Sequence, residues 1–172
     1  MAGLGLGKFK EMLGKDDSLL VDSSSLTADG ADLFFTSLVA VLPRLRKYTL
    51  IIPLEAVNCV NEGLESADPV VKERSRKAAV WLNQAVALSD PANPYVIFVG
   101  EAKGAFADKT VLNQVSFLMP NHNVLLITQD EERTKKARAL RNPATQGDHK
   151  LHCCRIKPDG TLGLYYFPED DK

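Results

Sequence analysis

The feature that most restricts how this chain can fold is a set of short, unbroken apolar runs: "SLLVD" at 18–22, "YTLIIP" at 48–53, "PYVIFVG" at 94–100 and "NVLLIT" at 123–128. Each is short for a helix, and none alternates apolar with polar residues. A strand with one face in water alternates. A continuous run marks a strand covered on both faces, as in a parallel sheet. The intervening segments carry helical spacing instead. Leu33, Phe34, Leu38, Val41, Leu42 and Leu45 recur in this way after a cap at Thr27 or Asp29, and Pro43 is placed to kink or end that helix. A helix opens at "PLEAVNCVNEGLE", and another follows Asp68-Pro69 with proline in its first turn. A loop then runs into a helix beginning near Asp108, and a further helix starts at Asp130. "HKLHCCRI" and "LGLYYF" read as terminal strands joined by the turn "KPDGT". Strands alternating with helices predict an α/β protein of three layers, α/β/α, around a central, mostly parallel sheet.

The 172 residues suit one domain. Residues 1–17 are Gly-rich and basic and read as a flexible arm, which leaves 18–172 as the single folded unit. "GLGLGK" within the arm lacks the preceding strand, and Phe9 stands where a phosphate loop needs Ser or Thr. A net charge of −1 gives no bulk drive toward nucleic acid or anionic membrane, so such binding needs a local basic patch. Three cysteines, Cys59, Cys153 and Cys154, are odd in number and two are adjacent. This fits reduced thiols in an intracellular (cytoplasmic or nuclear) protein. No apolar run is long enough to span a bilayer, so no membrane association is expected.

Ligands of parallel sheets sit at the carboxyl ends of the strands. Asp22 ends the first run, Glu55 opens the helix after the second, Asp108 opens a helix in the crossover after the third, and Asp130 lies just past the fourth. Carboxylates gathered at one edge repel one another unless a cation neutralises them. Oxygen-only ligands select Mg²⁺ or Mn²⁺, which orients water at a phosphoryl group.

The ordered set "LLVDSSSL", "IIPLEAVNCV", "ADKTVLNQVSFL" and "VLLITQDEERTKKA" resembles the PIN domain family of metal-dependent ribonucleases over roughly residues 18–142. The resemblance leans toward the eukaryotic members of mRNA decay and ribosomal RNA processing rather than the short bacterial toxins. It implies that Asp22, Asp108 and Asp130 bind one or two Mg²⁺ or Mn²⁺ ions and that Thr128 supports them by hydrogen bonding. It also implies single-stranded RNA as substrate, cleaved to leave a 5′-phosphate and a 3′-hydroxyl. The chain departs from the family at one place. The usual pattern of Pro, two residues, a hydrophobe, two residues and Glu-Leu, counted from Pro53, puts Cys59 at the glutamate position. Glu55 and Glu62 flank it. Residues seven apart on a helix return to within about 20° of one direction, so either glutamate can supply the missing carboxylate. Glu62 is the first candidate for the catalytic set, with Glu55 and Cys59 in support.

Arg133, Lys135 and Lys136 follow Asp130 directly and are candidates for holding an RNA backbone. Cys59 keeps a second function open, a PIN-like scaffold with a weakened site that binds protein or RNA in a processing or decay complex. A toxin of a toxin–antitoxin pair is a third. Other constellations fit less well. Leu26 breaks the "DSSS" resemblance to a von Willebrand A metal site, and Gly100 and Glu101 stand where a phospho-receiver domain needs its aspartate. His149, His152, Cys153 and Cys154 make a poor zinc site because neighbours on a strand point to opposite faces.

Overall fold

The computed structural model describes residues 17–45, 48–92, 94–100 and 107–166; for Asp17, Ala107, Asp108 and Pro143 it describes the backbone alone. In chain order the elements are β1 (Asp17–Val21), α1 (Ser23–Leu26), α2 (Ala31–Val41), β2 (Tyr48–Pro53), α3 (Leu54–Leu64), α4 (Pro69–Val86), β3 (Val96–Val99), α5 (Ala107–Leu118), β4 (Asn123–Ile127), α6 (Glu131–Ala139), α7 (Pro143–Gln146), β5 (Leu151–Ile156) and β6 (Leu162–Leu164). The six strands lie in the order β3-β2-β1-β4-β5-β6. All pairs are parallel except β5–β6. Each expected strand is present, and the expected turn joins the last two. The arm at 1–17 lies outside the described residues up to Asp17, which begins β1.

Continuous apolar runs feed both faces because alternate residues point to opposite sides. Leu19, Val21, Leu50, Ile52, Leu125, Ile127 and Cys154 pack on one side with Phe34, Phe35, Leu38 and Trp81 from α2 and α4. Leu20, Ile51, Val124, Leu126 and Cys153 pack on the other with Val111, Val115 and Leu118 from α5. Helices therefore cover both faces, giving the three-layer α/β/α architecture. Trp81 is fully buried, and its ring stacks on Phe35 with centroids 4.1 Å apart.

Two local features differ from expectation. The segment after β1 is a one-turn helix, α1, capped by the Asp22 side chain, which accepts from the Ser25 amide at 3.0 Å. A run of serines carries little apolar periodicity, so nothing in the pattern marked it. The following helix begins after Gly30, whose φ of 81° suits glycine, rather than at Thr27 or Asp29. Its regular part ends at Val41, and Pro43 sits in a 3-10 turn over Leu42–Arg44.

Candidate functional site

Strand order reverses direction between β1 and β4, since the chain runs outward from β1 to β2 and β3 and then returns to β4 on its other side. At such a switch point the loops leaving two adjacent strands diverge and leave a crevice at their carboxyl ends. The register pairs Val21 with Ile127. The next residues, Asp22 and Thr128, therefore stand side by side, and the Asp22 amide donates to the Ile127 carbonyl at 3.3 Å.

Asp22 is fully buried, and both its oxygens are engaged. Oδ1 accepts from Ser24 Oγ at 2.7 Å and from the Ser25 amide at 3.0 Å. Oδ2 accepts from Thr128 Oγ1 and from Nη1 of Arg133. Thr128 Oγ1 in turn accepts from the Asp130 amide at 3.0 Å, and Ser24 Oγ accepts from the Gln129 amide at 2.9 Å. The loop after β4 is thus sewn to the loop after β1 around the Asp22 carboxylate, with Ser25 Oγ also donating to the Ile127 carbonyl at 2.8 Å. Asp130 caps α6 by accepting from the Arg133 amide at 3.1 Å, and its Oδ2 lies 3.5 Å from Arg133 Nη2. One buried guanidinium therefore bridges Asp22 and Asp130. A carboxylate and a guanidinium withdrawn from water together are stabilised only while each keeps the other.

Glu55 lies in the first turn of α3 and is buried. Its Oε1 accepts from Thr110 Oγ1 of α5 at 2.6 Å, while Oε2 is enclosed and meets no donor among the described residues. Gly100, at the end of β3 with φ 91°, lies so close that a Cβ there would stand 2.9 Å from Oε2. Glu62 is exposed, and Cys59 is exposed between the two glutamates. Seven residues carry a helix about 10 Å along its axis. A shared direction therefore does not give Glu62 the enclosure of Glu55 in the first turn. The Cys59 thiol is pushed up by burial first and then by the Glu62 charge, against a lowering hydrogen bond with Ser23.

Asp108 stands in the first turn of α5, two residues before Thr110, and its side chain lies outside the described residues. Among the described residues, no three of His, Cys, Asp and Glu are gathered closely enough to hold a metal ion. The chemistry of the donors nevertheless suits a hard cation. They are oxygens throughout, and the enclosed Oε2 of Glu55 has no hydrogen-bond partner among the described residues.

The expected RNA contacts after Asp130 are differently disposed. Arg133 turns inward to Asp22, and Lys135 is held by Glu132 at 2.7 Å and Glu131 at 3.4 Å. Lys136 is exposed. No pattern in the sequence marked Ser24, Gln129 or Tyr165 for a role here. Tyr165 donates its hydroxyl to the Thr128 carbonyl at 3.2 Å. Burial pushes that phenol up; Arg155 opposes the rise, while Asp22, Glu131 and Asp130 add to it. A lone tyrosine beyond a terminal strand has no spacing to mark it.

No family model matches the chain, and no curated protein matches it in sequence. Among solved structures it is similar to a domain of a functionally unknown protein from Methanocaldococcus jannaschii DSM 2661, with TM-score 0.48 and 21% identity over 78% of this chain and 88% of that one. It is also similar to the PIN domain endonuclease Utp24, with TM-score 0.41 and 12% identity over 88% of this chain and 95% of that one.

Proposed function

We propose that the protein is a PIN-type, metal-dependent endoribonuclease that hydrolyses single-stranded RNA. The observation that carries this is the pair of carboxylates at the switch point, Asp22 and Asp130, drawn together around one positive charge. Two ionised carboxylates so placed repel one another unless a positive charge lies between them, and Arg133 fills that place here. In this proposal a Mg²⁺ or Mn²⁺ ion is held by Asp22 and Asp130, with Asp108 completing the set and Glu55, rather than the exposed Glu62, as the glutamate. The ion, when bound, supplies a polarised phosphoryl oxygen and a water of lowered pKa. Ser24, the Ser25 amide and Thr128 hold the Asp22 carboxylate in one orientation. Arg133 neutralises the two aspartates in the absence of an ion. Turned from Asp22, its guanidinium is a donor for a phosphate oxygen.

A second function, a PIN-like scaffold that binds RNA or protein, is favoured by the same arginine. It satisfies Asp22 from within the chain, and an exposed Cys59 stands at the family's glutamate position. Incubation with single-stranded RNA and Mn²⁺, beside Asp22→Asn, separates the two. Cleavage that disappears in the variant supports the nuclease. The same background in both proteins rejects it and leaves the scaffold.

A further inference from the structure

Beside the carboxylates, a groove of about 420 Å³ opens between the loop after β4 and the β5–β6 turn. Gln129, Arg155, Ile156, Lys157 and Pro158 line it, with Asp29 on the opposite rim. Its charges are unevenly spent. Asp29 is engaged by Arg74 at 2.6 Å, so its negative charge is neutralised. Arg155 and Lys157 are exposed and make no ion pair with any described residue. Gln129 has an enclosed Nε2 that meets no acceptor among the described residues. Two cations therefore line a channel whose wall also holds Ala28, Ile156 and Pro158.

The wall is rigid. The Lys157 amide donates to the Thr161 carbonyl at 2.8 Å, and the Gly160 amide donates to the Lys157 carbonyl at 2.9 Å. Gly30 packs so tightly beneath that a Cβ on it would stand 2.2 Å from the Lys157 carbonyl oxygen. The groove adjoins the carboxylate site through Gln129. Gln129 lies between Thr128 and Asp130, and its amide donates to the same Ser24 hydroxyl that donates to Asp22.

We propose that this groove is a subsite for the phosphodiester backbone of single-stranded RNA. Arg155 and Lys157 hold successive phosphates of the strand as it approaches Asp22. The identity of the polymer rests on the ribonuclease function proposed above. Ile156 and Pro158 offer an apolar wall for ribose or a base face, with no donor pattern that would read sequence. Of the basic residues after Asp130, Arg133 and Lys135 are engaged by carboxylates in this structure.

The test measures binding without metal, so that it does not depend on cleavage. A labelled single-stranded oligouridine is titrated by fluorescence anisotropy in EDTA against wild type, Arg155→Gln/Lys157→Gln and Lys135→Gln, at several salt concentrations. The double variant is expected to bind at least about tenfold more weakly. Each phosphate contact on a single strand contributes about 0.7 to the slope of log K against log salt, so the slope should fall by about 1.4. Lys135→Gln should bind within twofold of wild type. Uridine monophosphate and inorganic phosphate, tested as competitors, should displace the RNA only at far higher concentration. Equal binding by wild type and the double variant overturns the subsite, as does a wild type that binds no RNA. Displacement by the mononucleotide at concentrations similar to unlabelled RNA also overturns it, making the groove a nucleotide pocket instead. A parallel Mn²⁺ cleavage assay separates the two proposals. RNA bound through the groove but never cut leaves the subsite standing without the nuclease, whereas RNA cut and bound equally by the double variant removes the subsite alone.

Discussion

Arg133→Met is the most informative single change, because Arg133 supplies the positive charge shared by two carboxylates. Its side chain is 8% exposed and that of Asp22 is 0% exposed, so neither charge has water to fall back on. Methionine keeps much of the volume and removes the charge. Breaking a buried ion pair by removing one partner costs about 3–5 kcal/mol. Asp22 keeps three donors, Ser24, the Ser25 amide and Thr128, which places the expected loss near the low end, at about 3 kcal/mol. For a chain of this size each kcal/mol shifts Tm by about 2–4 °C, so melting should fall by about 6–12 °C in metal-free buffer. Asp22→Asn made with Arg133→Met should cost less than the sum of the two single changes, by about 2–3 kcal/mol. Urea and thermal melts of the four proteins measure both quantities. The ion requirement is then read by adding Mn²⁺. A site saturated at a hundredfold excess over Kd recovers about 2.7 kcal/mol, and the gain should be larger in Arg133→Met than in wild type, where the guanidinium competes. If Arg133→Met melts with wild type, or if the double-mutant coupling is zero, Arg133 is not what neutralises Asp22.

Other outcomes follow from local geometry. Gly30→Ala forces a side chain onto the backbone of the β5–β6 turn at a φ of 81°, and should cost at least about 2 kcal/mol in urea melts; a neutral result would contradict that packing. Trp81 stacks on Phe35 while its Nε1 meets no acceptor, so Trp81→Phe should cost under about 2 kcal/mol against about 3–5 kcal/mol for Trp81→Ala, as compared by chemical denaturation. Burial, with a smaller contribution from Cys153, pushes the Cys154 thiol up to about 12, so mass spectrometry after alkylation at pH 8 should find Cys59 modified and Cys154 intact. The same shift has a sign in stability. Between the ordinary thiol value and 12 the unfolded chain releases a proton that the folded chain keeps, so stability falls as pH rises through that window. The slope reaches about 1.4 kcal/mol per pH unit for this group, and Cys154→Ala should remove it from melts taken between pH 8 and 10.

The layered sheet was legible in the chain because a strand buried on both faces leaves a continuous apolar run whatever it packs against. The same logic put Cys153 and Cys154 on opposite faces, and they occupy the two separate cores. Asp22, Thr128 and Asp130 were legible as strand-end positions, because backbone direction alone brings carboxyl ends to one edge. What lay beyond the sequence was the state of each carboxylate. Helical periodicity makes Glu55 and Glu62 equivalent in direction. Only the approach of Gly100 and Thr110 to the first turn of α3 encloses Glu55 and leaves Glu62 in water. Arg133 read as a contact for an RNA backbone, because spacing from Asp130 does not say which way a guanidinium turns. Its burial beside Asp22 depends on two strands, distant in sequence, being neighbours in the sheet. The pairing of Arg155 and Lys157 across a groove from Asp29 likewise exists only once β5, its turn and the Gly30 loop are packed together. Patterns of burial are local and recur along the chain; charge compensation is a property of groups brought together from far apart, and it appears only in the folded molecule.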